Sequence, residues 1–492
     1  MKRKIGLLIL LLATVTIKAQ VFERDDNDGE GFNDFRKSMY KDFNNFRSEI
    51  MQEFINFVRN PWKEFDAAPP QPAPKEIPTP PIVRPDVEKK DDAPREETSL
   101  FGEEVLMSFE ETPQPQPVEP VKEIDKPFEQ YVKFTFFGTE GKVRFNLKNK
   151  VILSKVNENA VADALEKVST EAYNNMLVDC IKLRKELKLS DWAYLNMLKS
   201  LSEEIYGNDL NSATLLTAYL YMQSGYKMRL ASYEGRLFML FSSDHLIYEK
   251  ESYMLDGCRF YSIEELPGKL FICNVAFEQE QSLSLLLAGG QCFDYQATEK
   301  KEIKSVKYPD FTINVSVNKN LLDFYSTYPT SMIGNNTMTR WAMYANTPFD
   351  KVVANEIYPQ FSKKLEGLTD LEAVNRLLDF VQTGFVYEYD DKVWGRDRIF
   401  FPDEAIFYPY NDCDDRSVLF SRLVRDLVGL DVALVTIPGH ILVAVKFKEE
   451  VAGESIEVNG ERYVLCEPTC VNGAPVGWAD VAGKGKISYI KL

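Results

Sequence analysis

Blocks of helical sequence followed by blocks of strand sequence place this chain among the α+β proteins. Helical periodicity dominates residues 158–223 and returns over about 339–386. Strand-rich sequence, with turn signals at Asp256-Gly257 and Gly289-Gly290, covers 226–320, and strands and loops close the chain. The third observation is that part of this layout occurs twice. At 492 residues there is room for about two to four domains. The 45% apolar and 12% aromatic residues supply real cores.

Met1-Lys2-Arg3-Lys4 precedes an apolar run over 5–17 and then Lys18-Ala19-Gln20. A basic start, an apolar stretch and a small residue before the cut describe a secretory signal peptide over 1–20. The run is short for a membrane span, and no cysteine follows it to carry a lipid. The expectation is an exported protein, periplasmic or secreted. Within 21–66, and most clearly over 29–66, Phe35, Met39, Phe43, Phe46, Ile50, Phe54 and Phe57 recur at spacings of three and four. That is an amphipathic helix. Its polar face is balanced in charge, which fits docking or self-association better than a membrane surface. Residues 67–125 are rich in Pro, Glu, Asp and Lys and read as an extended, disordered tether. Folded sequence resumes near Tyr131, where 132–137 and 142–147, joined across 138–141, form a β-hairpin. The expected domains are an α+β domain over 126–265, a β-rich connection over 266–335 and a final domain over 336–492.

The repeat is carried by spaced matches. Leu189-Ser190-Asp191 opens a helix with Asn196 and Leu198; Leu368-Thr369-Asp370 opens one with Asn375 and Leu377, 179 residues on. Leu215, Gly225, Leu230 and Gly235 match Leu419, Gly429, Leu434 and Gly439 at an offset of 204. Gly257-Cys258-Arg259-Phe260-Tyr261 matches Gly460-Glu461-Arg462-Tyr463-Val464 at 203. The offset grows by 25 between 179 and 204, an insertion in the second copy that includes about 392–410. In this register Cys413 answers to Asp209, His440 to Arg236 and Glu467 to Glu264. The first copy is then expected to hold a carboxylate and a guanidinium where the second holds a thiol and an imidazole.

The chain has only two histidines, His245 and His440, so Cys–His chemistry can be assembled in few ways. Asp412-Cys413-Asp414-Asp415-Arg416-Ser417, Pro438-Gly439-His440 and Cys466-Glu467-Pro468-Thr469 set out a thiol, an imidazole and a carboxylate between positions 413 and 467. A nucleophilic cysteine needs a base to ionise it and a third group to orient that base. Asn411 or Asp412 is placed to cap a helix that runs from Cys413 to Gly429. A thiol at a helix N-terminus gains from the dipole, and the exposed N–H groups there can receive an oxyanion. Asp412, Asp414 and Asp415 work against this by raising the thiol's pKa, with Arg416 placed to neutralise one of them. Activation therefore falls to His440, oriented by Glu467. The same acidic run is chemically able to hold a hard cation, but it lacks a Gly-centred loop, and no metal is expected. His245 reads as structural. Seven cysteines (180, 258, 273, 292, 413, 466 and 470) leave at least one unpaired, and Cys466 and Cys470 are close enough in sequence to bridge or to pack.

With these residues in view, the segment from about Asn375 to Thr469 resembles the transglutaminase-like branch of the papain-like superfamily. In that pattern a Cys opens a helix ending in Gly, a Gly-His starts a strand, and Asp-Pro-Thr follows the next strand. Cys413, Gly429, Gly439-His440 and Glu467-Pro468-Thr469 supply the counterparts. The whole chain also looks like exported transglutaminase-like proteins of Bacteroidetes bacteria in its Phe-rich helix, Pro-rich tether and acidic Cys motif. The resemblance implies an α+β core with the Cys helix packed on an antiparallel sheet that bears His and acid. It implies acyl transfer through a thioester, with no metal or organic cofactor. Glu467 stands where the pattern has Asp, and no oxyanion side chain is obvious upstream. Gln382, Trp394 and Tyr410 are the candidates, with Gln382, on the preceding helix, favoured.

A net charge of −17 without a Lys/Arg cluster excludes a phosphate backbone as partner. The expected function is an exported transglutaminase-like cysteine hydrolase or acyltransferase. It would act on peptide or carboxamide bonds of a peptide, protein or cell-envelope substrate through Cys413, His440 and Glu467. Hydrolysis is favoured over cross-linking, because water is always present. The alternative is a non-catalytic cell-envelope scaffold with decayed copies of the fold, in which the Phe-rich helix and the tether bind partners.

Overall fold

The computed structural model describes residues 51–492 apart from 74–79, 86–97, 110–113, 119–122, 124–129, 278, 288, 335 and 482–484. The signal peptide and most of the Phe-rich helix lie outside the described residues. The chain divides into two units, 1–57 and 58–492; the first is described only over 51–57, which is helical. The helix expected to reach residue 66 stops at 58, ahead of Pro61, whose ring disfavours helix at the preceding residue.

Three short strands come from sequence around and within the expected tether: β1 (Lys63–Asp66), β2 (Ser99–Phe101) and β3 (Glu103–Glu104). The hairpin follows as β4 (Tyr131–Phe136) and β5 (Thr139–Arg144). Its loop is two residues, Phe137-Gly138, both at positive φ (44° and 64°), as a type I′ turn requires. Helices α1 (Glu158–Val168), α2 (Asn174–Glu186), α3 (Asp191–Tyr206) and α4 (Leu210–Gln223) precede β6 (Met228–Tyr233), β7 (Arg236–Ser242), β8 (His245–Ile247), β9 (Tyr253–Leu255), β10 (Cys258–Tyr261) and β11 (Lys269–Cys273). The second half opens with β12 (Lys301–Lys304), β13 (Thr312–Val315), α5 (Lys319–Ser326) and β14 (Ser331–Ile333). Then come α6 (Met338–Asn346), α7 (Lys351–Leu365), α8 (Asp370–Gly384), α9 (Asp390–Val393), α10 (Pro402–Phe407) and α11 (Cys413–Leu427). It ends with β15 (Val432–Ile437), β16 (His440–Val445), β17 (Ser455–Val458), β18 (Glu461–Cys466) and β19 (Ser488–Lys491).

The two large sheets share one plan. The first runs β1-β11-β6-β7-β10-β9 and the second β3-β19-β15-β16-β18-β17-β2. Five consecutive strands correspond, and so does their register. Tyr233 faces Arg236 as Ile437 faces His440, and Phe241 faces Tyr261 as Val445 faces Val464. Each sheet also carries an Asx-Gly turn at positive φ, Asp256-Gly257 in one and Asn459-Gly460 in the other. The strand β11 belongs to the first sheet, so the first domain extends past the expected boundary at 265 to at least Cys273.

Only Gly102 separates β2 from β3, yet β2 pairs with β17 at one edge of the second sheet and β3 with β19 at the other. One residue spans about 3.4 Å, whereas five flat strands would hold those edges about 19 Å apart. The sheet is therefore curled until its edges meet, and residues 99–104 are the sixth stave of a closed barrel. The directions agree: four antiparallel steps leave β17 and β19 parallel, and the stave runs parallel to both. The barrel is filled by Ala433, Val435, Leu442, Ile456, Tyr463 and Leu465, with Leu100 packed against them. A Cβ on Gly102 would come within 3.1 Å of Ile456 and Tyr489, so this position faces inward. The first sheet closes in the same manner. There β1 pairs with β11, Ala68 pairs with Ser252 just ahead of β9, and Phe65 packs on the interior. The tether is thus extended, as its composition says, but its described parts are not free chain. Their backbone groups serve as ladder partners for strands that would otherwise be edges.

Outside the second barrel, α11 buries Val418, Leu419, Leu423 and Val424 completely, and β16 is buried along its whole length. No helix among the described residues is long and apolar enough to cross a membrane.

Candidate active site

The turn Pro438-Gly439 converts β15 into β16. Proline sets the second turn position, and Gly439 takes φ +77° at the third, a type II pattern that leaves His440 as the first residue of the new strand. Neighbouring β18 ends at Cys466, so Glu467 follows at the same end of the barrel. The two side chains meet. His440 Nε2 lies 3.0 Å from Oε1 and 3.0 Å from Oε2 of Glu467, with both residues buried. A carboxylate only accepts, so Nε2 carries the hydrogen and the lone pair of the neutral ring is on Nδ1. Nδ1 is buried and without a hydrogen-bond partner among the described residues. Thr469 steadies the acid: its hydroxyl donates to Glu467 Oε1, and its amide donates to the same oxygen at 3.3 Å.

Cys413 is the first residue of α11 and is buried. One turn later, Ser417 Oγ donates to the carbonyl of Ile441 at 3.3 Å. Residues i and i+4 share a helix face, so Cys413 lies one turn before a residue that touches the second residue of β16, but no hydrogen bond joins its sulfur to His440 Nδ1. The Tyr387 hydroxyl is held above its ordinary range, by burial first and then by negative charge at Cys413.

The charge around the thiol differs from expectation in two ways. Asp412 occupies the N-cap position, but its side chain makes no capping bond. Instead Asp415 accepts the Phe400 amide at 2.8 Å. Arg416 does not pair with a carboxylate; it donates to the carbonyls of Gln382 and Phe385, each at 2.9 Å. Burial lowers its guanidinium to about 10, still charged at neutral pH. Burial, and next the charge of Asp414, push the Asp412 and Asp415 carboxyls well above the ordinary carboxylate range. The same two causes raise Asp390 to about 8.

Gln382, expected to donate to an oxyanion, is engaged elsewhere. Its amide nitrogen donates to the carbonyls of Glu467 (2.8 Å) and Ala474 (3.1 Å), and its oxygen accepts the Ala474 amide at 3.1 Å. Both hydrogens are used, so Gln382 positions the Glu467 loop and has none left for a reacting oxygen. Trp394 packs edge-on against Phe400 and Tyr408, and Tyr410 is 42% exposed. None of the seven cysteines is in a disulfide, Cys466 and Cys470 included. His245 is buried; its Nε2 accepts from the Leu285 amide at 3.3 Å, and burial lowers it to about 4, so it stays neutral.

At the matching end of the first barrel, Arg236 clamps Glu264 with Nη2 at 2.7 and 3.0 Å from its two oxygens. Nη1 donates to Asn211 and Thr214. Asp209 does not join them. It is the N-cap of α4, accepting from Ser212 N (3.1 Å) and Oγ (2.6 Å). The first half thus has an ion pair at the histidine and acid positions and no thiol at its helix start.

Thr469, Ser417, Tyr387 and Trp341, whose Nε1 donates to Asp414 at 3.0 Å, were not among the residues singled out for function. Thr469 follows Glu467-Pro468 and was readable from that motif; the others act across long sequence separations that no local signal marks. Compared with known proteins, the chain matches no family model and no curated protein.

Proposed function

We propose that this is an exported transglutaminase-like cysteine hydrolase or acyltransferase, acting on a peptide or carboxamide bond of a peptide, protein or cell-envelope component. In this reading Nδ1 of His440 takes the Cys413 proton, and the thiolate attacks the substrate carbonyl. The tetrahedral intermediate collapses to a thioester as the amine leaves with the proton returned by His440. Water, deprotonated by the same nitrogen, releases the acid and frees the thiol. Glu467 holds the ring in the tautomer this needs and stabilises the imidazolium that forms. N–H groups at the start of α11 are the oxyanion donors that fit, now that Gln382 is engaged. The observation that carries the reading is the buried imidazole with one nitrogen fixed by a carboxylate and the other left for a partner.

A second reading, a non-catalytic envelope scaffold, draws support from the acids that crowd the thiol and from the Arg236–Glu264 pair in the first half. Thiol-directed alkylation, followed peptide by peptide in a mass spectrometer, separates the two. Cys292 is exposed and serves as an internal reference. The catalytic reading expects Cys413 to react despite its burial, and His440→Ala to slow it by about 100-fold or more, with Cys292 unchanged. Slow Cys413 labelling that ignores His440 would leave the scaffold.

A further inference from the structure

At the head of α11 three carboxylates share one small space. One oxygen of each of Asp412, Asp414 and Asp415 lies within 4.8 Å of the others. Among the described residues no guanidinium forms a salt bridge with any of the three: Arg398 pairs with Glu404, and Arg416, whose charge Asp412 and Asp415 feel, gives its hydrogen bonds to two carbonyls. Arg416 offsets part of the charge, but burying several anions together is costly, and proteins relieve it with protons, cationic side chains or metals.

A separate observation points to an ion. Asp414 and Asp415 are 1% and 0% exposed, yet Asp414 Oδ1 and Asp415 Oδ2 have no hydrogen-bond donor, and Asp412 Oδ1 has none either. The opposite oxygens are held, Asp414 Oδ2 by Trp341 Nε1 and Asp415 Oδ1 by the Phe400 amide. Each buried carboxylate is therefore anchored through one oxygen and leaves the other undonated. Anchoring of this kind is what orients carboxylate ligands around a metal.

We propose that Asp412, Asp414 and Asp415 bind a hard divalent cation, Ca²⁺ by its chemistry. The donors are all oxygen and all anionic, the preference of a hard cation. Ligands on opposite sides of a Ca²⁺ shell stand about 4.6–5.2 Å apart, and three oxygens within 4.8 Å of one another fit inside it. Asp412 is only partly buried as a residue, although its undonated Oδ1 is shielded from solvent. The sequence hid the site because it sought a Gly-centred loop; here the ligands are at positions i, i+2 and i+3 of a helix start and are oriented by Trp341 and Phe400. A bound cation would also lift the repulsion these acids exert on a Cys413 thiolate, making it an activator. That consequence rests on the proposed catalytic reading; the binding does not.

Terbium is the probe, since Tb³⁺ takes Ca²⁺ sites and emits when a nearby tryptophan is excited. Trp341, bonded to a proposed ligand, is the antenna. The purified protein is expected to give saturable Tb³⁺ emission on tryptophan excitation that Ca²⁺ displaces. Asp414→Asn is expected to weaken it at least tenfold, as is Asp412→Asn, which alters a partly exposed residue and tests the site should the buried change disturb folding. Trp341→Phe should dim the emission while a Ca²⁺-dependent rise in Tm persists. No saturable emission, or emission unmoved by Ca²⁺ or by both Asp→Asn changes, overturns the site. Binding beside an inert Cys413 would sink the catalytic reading alone, and a reactive Cys413 without binding would sink the cation alone.

Discussion

At His440 a single contact decides which nitrogen is basic. Because Glu467 takes the Nε2 hydrogen, the lone pair is confined to Nδ1. The same logic of a fixed partner makes Arg236 inert at the corresponding place, since a guanidinium clamped on Glu264 can neither give nor take a proton. Glu404 shows the opposite balance. It pairs with Arg398, yet burial outweighs the pair and raises it from 4.5 to about 7. An acid that binds its proton more tightly when folded supports the folded state fully below pH 4.5 and loses that support as pH rises through about 7. The difference is on the order of 3 kcal/mol. His245, lowered to about 4, slopes the other way, losing stability as pH falls below 6.5, so the comparison must be made against a variant. Urea unfolding from pH 4.5 to 7 should show the wild type losing stability relative to Glu404→Gln; parallel curves would acquit Glu404.

Elements carry the next layer, and α8 is the instructive one. Through Gln382 it holds the loop that bears Glu467, so this helix acts on the candidate site without touching reacting atoms. Gln382→Leu leaves the Ala474 carbonyl and amide unpaired, while the Glu467 carbonyl keeps its bond from the Cys470 amide at 3.3 Å; each unpaired group costs about 1–3 kcal/mol. Urea denaturation should therefore record a loss of roughly 2 kcal/mol or more; intact stability with reduced Cys413 labelling would instead make Gln382 an oxyanion donor. Sequence logic reached the helix but not the role, because a glutamine's partners 85 and 92 positions away leave no local mark. What was legible had local causes. The end of α11 is announced by Gly429 at φ +72°, and the strand turns by Asp256-Gly257, Asn459-Gly460 and Pro438-Gly439. Those turns also set the register, which is why an alignment of a few glycines anticipated the strand pairing that relates Arg236 to His440. The failure to cap α11 with Asp412 was invisible for the converse reason: Phe400 and Trp341 recruit the neighbouring acids from outside the helix.

On the scale of the whole molecule, short strands just before and within the Pro-rich stretch are what turn two sheets into two barrels. Composition alone says only that such sequence is extended and poor in apolar residues; it cannot say that waiting edges will accept it. Residues 99–104 seal the barrel whose rim carries His440 and Glu467, with Leu100 inside and Phe101 75% exposed on the outer side. The N–H of Glu103 reaches the Ile487 carbonyl at 3.0 Å, and that of Val105 reaches Tyr489 at 2.7 Å. Replacing 99–104 by a Gly-Ser stretch of equal length keeps the connection but removes the strand preference and the inward leucine. Both β17 and β19 then become open edges, which pair with other chains. The expected outcome is a lower Tm and concentration-dependent association in sedimentation velocity. A synthetic peptide spanning 98–109 should reverse both by adding the missing strand in trans. A replaced chain that stays monomeric at unchanged Tm would mean that the barrel stands on five staves, and that these residues rest against it without closing it.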